Sequence, residues 1–62
     1  MIFSIEYFQE GRLLAPQPWR SDSLEDAIGH ATSQMIVHNA DFARIMDVDG
    51  SGAEVWSGRR DA

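Results

Sequence analysis

The chain has 62 residues, 44% of them hydrophobic and 24% charged, with no cysteine and with arginine as its only strongly basic residue. A chain this short buries only about 60% of the surface its unfolded form exposes. It therefore makes a single domain, 1–62, and its near-average composition excludes intrinsic disorder, collagen and a long coiled coil. Ten acidic residues against five arginines give a formal charge of −5, the wrong sign for tracking a phosphate backbone or an anionic membrane surface.

Residues 2–9 alternate, with Phe3, Ile5 and Tyr7 on one side and Ser4 and Glu6 on the other, the period of two that marks a half-buried strand. The apolar residues at the start have no basic residue ahead of them, and Glu6 interrupts them. Neither a secretory leader nor a membrane span is expected, and a cytoplasmic location is the default. The all-arginine usage fits a GC-rich bacterial genome. Glu10-Gly11 supplies a turn, and Arg12-Leu13-Leu14-Ala15 returns as a second strand. Pro16 and Pro18 lack the N–H that a ladder needs, so that strand is short or lies at a sheet edge, with Trp19 in the loop beyond it.

Ser23 with Asp26 three residues later reads as a capping box, and Glu25 and Asp26 suit the positive end of a helix. At about 100° per residue, Leu24, Ala27, Ile28, Ala31 and Met35 form one apolar stripe that faces a sheet. Asn39 is placed to end the helix in a left-handed conformation. Residues 42–48 and 53–57 then read as two strands joined by Asp49-Gly50-Ser51-Gly52, a hairpin turn by composition. Gly58 to Ala62 reads as a fraying tail. The fold class is α+β, order β-β-α-β-β, with one four-stranded, mostly antiparallel sheet and a single helix on one face. The strand order 2-1-4-3, or one with the N-terminal strand elsewhere, stays open.

If Val48 pairs with Ala53, Met46 opposes Val55 and Arg44 opposes Ser57 on one face, while Ile45 opposes Trp56 and Asp47 opposes Glu54 on the other. Both faces then carry apolar residues, and one helix covers only one of them. Ile45, Trp56, Phe8 and Trp19 are therefore the expected members of an exposed apolar patch that contacts a partner or a second copy. With no disulfide or thiolate metal site available, a partner subunit is also the usual support for a chain this small.

Four constellations bear on chemistry. Asp47-x-Asp49-x-Ser51-Gly52 matches the first six positions of a calcium loop, but Gly58 stands where the bidentate glutamate belongs and Glu54 where an apolar residue belongs. A polar hairpin turn is the expectation. His30 and His38 lie about 80° apart on a helical wheel, unlike a chelating pair, with His30 in solvent and His38 against the apolar stripe. His38 with Asp41 or Asp47 forms the only general-base set, and it has no nucleophile or oxyanion loop beside it. Asp47 and Glu54, as cross-strand neighbours, read as a solvated pair that Arg59 or Arg60 neutralises.

The run Ala40-Asp-Phe-Ala-Arg-Ile-Met-Asp-Val-Asp-Gly-Ser-Gly-Ala-Glu-Val-Trp56, with the helix before it, resembles the C-terminal half of small bacterial β-β-α-β-β families of unassigned activity. The likeness covers roughly half of the chain and implies a fold; those families offer no functional residues to transfer. The reading that results is a cytoplasmic homodimer or protein-binding module with no catalysis, no metal and no cofactor. Its alternatives are a small-ligand- or nucleic-acid-binding regulator, or an enzyme using His38 with Asp41 or Asp47.

Overall fold

The structure, a computed structural model, describes residues 1–60. Its elements are β1 (Ile2–Gln9), β2 (Arg12–Arg20), α1 (Leu24–Val37), β3 (Phe42–Asp47) and β4 (Glu54–Arg59). The four strands make one sheet, antiparallel at every pairing, in the order β2-β1-β3-β4. The order follows from which strands tolerate burial on both sides. β1 and β3 carry large apolar residues at both parities, whereas β2 holds two prolines and β4 holds Ser57, Gly58 and Arg59.

Glu10 (φ 51°) and Gly11 (φ 80°) are both left-handed, the conformation that matches the twist of a tight hairpin. Ser23 Oγ accepts from the Asp26 N–H at 3.2 Å and starts α1. Asn39 (φ 55°) stops it, with Asn39 N–H donating to Ile36 C=O at 3.2 Å and Ala40 N–H to Met35 C=O at 2.8 Å. These two bonds satisfy carbonyls the helix leaves open, as a Schellman cap does.

The helix lies across β1 and β3. Its Ala27, Ala31 and Met35 meet Phe3, Ile5, Tyr7, Ala43 and Ile45, and Ala40 completes the buried set. Two alanines at the centre of the stripe let the helix approach the strands closely. Ile5 and Ile45 face each other directly across the β1/β3 ladder, and both are fully buried.

Several expectations are corrected. β2 lies at a sheet edge, as its prolines allow, but it is long: it runs through both prolines to Arg20 and includes Trp19, which is not in a loop. The two prolines fit because of ladder phase. Ser21 N–H donates to Met1 C=O at 3.0 Å, and antiparallel pairs alternate between bonded and non-bonded. Trp19 and Gln17 therefore bond to β1, and Pro16 and Pro18 turn their missing donors outward. β4 reaches Arg59, and Arg60 N–H donates to Asp41 C=O at 2.8 Å. Residues 58–60 are thus structured rather than frayed; residues 61 and 62 lie outside the described part. The pairs Ile45/Trp56 and Arg44/Ser57 occur as expected, but an irregularity then shifts the register so that Met46 opposes Glu54. The expected pairs Met46/Val55 and Asp47/Glu54 are not formed. Among the described residues no helix is long and apolar enough to cross a membrane.

Candidate interaction surface

The alternation of each strand sorts its side chains between a helix-covered face and an open one. The open face receives Ile2, Ser4, Glu6 and Phe8 from β1, and Phe42, Arg44 and Met46 from β3. Leu13, Pro16, Pro18 and Arg20 arrive from β2 by pairing with β1, and Ser57 and Arg59 arrive from β4 by pairing with β3. Phe8 and Phe42 are half-buried and sit directly opposite each other, with ring centroids 5.6 Å apart and tilted by 55°. The Arg44 guanidinium lies 5.5 Å from the Phe8 ring centroid and that of Arg59 lies 5.5 Å from the Phe42 centroid. Both are within the range in which a ring face attracts a cation. Arg44 also forms an ion pair with Glu6, its cross-strand partner.

Charge is distributed unevenly between the faces. Arg20, Arg44 and Arg59 stand on the open face with Glu6 and Glu54, so this side is slightly basic although the chain carries −5. The acidic excess belongs to the turns and to the helix.

Of the four residues expected to form the apolar patch, Phe8 alone is on the open face. Ile45 is a correction: it is fully buried beneath the helix. Trp56, opposite Ile45, and Trp19, opposite Phe3, share the helix-covered face and pack on the edges of the core. Trp19 stacks on His30 with centroids 3.7 Å apart and an 8° interplanar angle, and its Nε1 donates to Asp26 Oδ2 at 3.2 Å. His30 is therefore half-buried and not a solvated residue, with its Nε2 3.1 Å from Gln17 Oε1. The same oxygen accepts from Tyr7 Oη at 2.8 Å, and burial pushes the Tyr7 hydroxyl up to about 12.

His38, Asp41 and Asp47 are each engaged by different neighbours, and the two aspartates are far apart. Asp41 and Asp47 stand at opposite ends of β3, roughly 20 Å apart at about 3.3 Å per residue. Asp41 Oδ2 accepts from Glu10 N–H at 2.9 Å, and His38, which caps α1, lies with its ring 5.0 Å from that of Tyr7. The calcium-like turn spends its oxygens on backbone N–H groups, those of Asp47 within the turn and that of Asp49 on the start of β1. Asp47 Oδ1 accepts from Gly50 N–H (3.2 Å) and Oδ2 from Ser51 N–H (3.1 Å), while Asp49 Oδ1 accepts from Ile2 N–H (2.9 Å). The bond from Ile2 holds the Asp49 carboxyl below the usual carboxylate range. A side chain on Gly50 would meet Asp47 Oδ2 at 2.3 Å, so glycine is needed there for the carboxylate to reach the turn.

Three surface hollows have volumes of about 150, 160 and 110 Å³, below the roughly 300–1,000 Å³ of pockets that enclose organic ligands. The first lies between the end of α1 and β4, over Met35, Ile36, Trp56 and Gly58. Sequence reasoning missed Phe42, Arg44 and Glu6 as a cluster. Their signal is the opposition of residues 6/44 and 8/42, which is visible only once β3 is known to lie beside β1.

Comparison of the chain with family models, curated proteins and solved structures gave no significant match.

Proposed function

We propose that this protein works by association and not by catalysis, as a protein-binding module that uses the open face of its sheet. The observation that carries this reading is the Phe8–Phe42 pair, flanked by Arg44 and Arg59, on the two central strands at one end of a face that no other element of the described chain covers. Aromatic and arginine side chains are enriched at the energetic centres of protein interfaces, where they bring large contact area and bidentate donors. The fitting partner offers an apolar centre with carboxylates beside it, which the two arginines engage. The distance between Asp41 and Asp47, and the engagement of Asp41 by the Glu10 N–H, support leaving catalysis out.

Site-specific photo-crosslinking in cells tests this. A crosslinker at Leu13, on the rim of the open face, is expected to capture a discrete protein that a crosslinker at the exposed Val37 on the helix does not. Phe42→Asp in the same chain abolishes that capture. Equal capture from both positions would discard the open face as the binding surface.

A second reading has its own observation. Two aromatic rings with guanidinium groups on an open antiparallel sheet also resemble a stacking platform for unpaired bases. Fluorescence anisotropy with a labelled single-stranded oligonucleotide decides it: binding that weakens with salt and disappears in Phe42→Ala favours this reading, and no binding at low salt removes it.

A further inference from the structure

The two edges of the sheet differ in their ability to accept another strand. On β2, Pro16 and Pro18 occupy outward-facing positions and offer no donor, a recognised way of blocking an edge. On β4 the Arg60 N–H bonded to Asp41 sets the opposite phase. Gly58 and Trp56 bond inward to β3, so Ser57 and Arg59 turn both N–H and C=O outward and Val55 turns its C=O outward. This edge holds no proline and no lysine, and Val55, Ser57 and Arg59 are exposed.

We infer that β4 pairs with β4 of a second copy, antiparallel about a two-fold axis at Ser57, to make a continuous eight-stranded sheet. The self-complementarity is in the sequence of the strand. With Ser57 opposite Ser57 of the copy, each Arg59 N–H meets the Val55 C=O of the other chain, and Glu54 at one end lies beside Arg59 at the other end of its neighbour. Two equivalent Glu54–Arg59 contacts result, as an isologous interface requires. Trp56 falls opposite Gly58 of the copy, which has no side chain to collide with the indole. Val55 is the unpaired residue of the irregularity, between Trp56 opposite Ile45 and Glu54 opposite Met46, so the regular edge ends there and the pairing is limited to this short stretch. A two-fold axis perpendicular to the sheet keeps both helices on one side. The two open faces then join into one surface on the other side. The pairing runs along the β4 edge and shares Arg59 with the open face, while Phe8, Phe42 and Arg44 stay clear of it.

The test is solution mass by light scattering from micromolar to millimolar chain, with circular dichroism as the fold control. The wild-type chain is expected to reach twice its chain mass. Ser57→Pro, which removes an outward donor and leaves the β3 bonds intact, weakens dimerisation about tenfold or more. Should Ser57→Pro fail to fold, charge reversal decides. Glu54→Arg and Arg59→Glu are each monomeric alone, because each places like charges together twice, and an equimolar mixture recovers the dimer mass as a heterodimer. Phe8→Asp, at the ring that faces Arg44 and not Arg59, leaves the mass of the dimer unchanged. A wild-type chain that stays monomeric at millimolar concentration overturns the inference. So does a dimer that survives the charge reversals.

Discussion

β2 and β4 are both edge strands and each sends one tryptophan over the margin of the core, yet they are finished differently. Trp19 of β2 is pinned by three groups: Phe3 across the ladder, the His30 ring stacked at 3.7 Å, and Asp26 accepting from its indole N–H. Trp56 of β4 has Ile45 across the ladder and a glycine two residues on. β2 is closed to further strands by its prolines and tied to the helix by polar contacts; β4 is tied to the helix by apolar contact and left open along its backbone. In a chain too small to bury its edges, the difference teaches that blocking was applied to one edge only.

Replacing Pro16 and Pro18 with threonine breaks this comparison most severely, because it restores both outward donors of β2. A second open edge on a molecule whose first edge already pairs permits open-ended growth. Light scattering is expected to show masses far above the dimer. If the double variant keeps the wild-type mass, the prolines are not what closes that edge. Next in size, Trp19→Ala is expected to cost about 3 kcal/mol in urea unfolding and Trp56→Ala about 2 kcal/mol, since large-to-small changes cost more where more contacts are lost. Equal costs would mean that the stacking and hydrogen bond at Trp19 contribute nothing beyond area.

Gly58→Val sharpens the contrast on the β4 side. A Cβ there would come within 2.6 Å of the Trp56 ring, so the indole must leave the groove. We expect about 1–3 kcal/mol of destabilisation, the usual range for overpacking, with a red-shifted tryptophan emission in a folded chain. The smallest effect concerns the network behind Trp19. Burial raises Tyr7 from 10.0 to about 12. The raised value means the neutral hydroxyl is favoured in the folded state, so its contribution is complete below pH 10 and is lost as pH rises toward 12. Tyr7→Phe should flatten that alkaline decline while costing about 1 kcal/mol near neutrality for the bond to Gln17. An unchanged alkaline limb would place its origin elsewhere.

The β1 strand, the start of the helix and the turn at Asp49 to Gly52 are legible because each is written in consecutive residues: alternation, a serine N-cap, a run of turn formers. The reciprocal half of the Ser23/Asp26 box is not formed, because Ser23 N–H donates to Ser21 Oγ and Asp26 accepts from Trp19. The full length of β2 was not. A proline reads locally as a strand breaker, and only the phase of the ladder shows that Pro16 and Pro18 face away from β1. The hairpin pattern makes Ile45 and Trp56 cross-strand neighbours, as observed, but does not show that the helix covers their face. Which parity of β3 the helix covers depends on β1, whose Phe3, Ile5 and Tyr7 outweigh Ile2 and Phe8 and draw the helix to their side. His30 looked solvated because its partner, Trp19, lies eleven residues away on another element.

The sequence by itself determined the element order, the helix caps, the tight first hairpin and the acidic balance, all of which depend on residues within a few positions of one another. Only the tertiary structure decided that β3 lies against β1, that Phe8 and Phe42 meet between Arg44 and Arg59 on an open face, and that one edge is closed and the other free. Those outcomes depend on which strands become neighbours and in which phase they bond. Both are settled when the β1 and β3 side chains bury together under α1, and no local pattern encodes that choice.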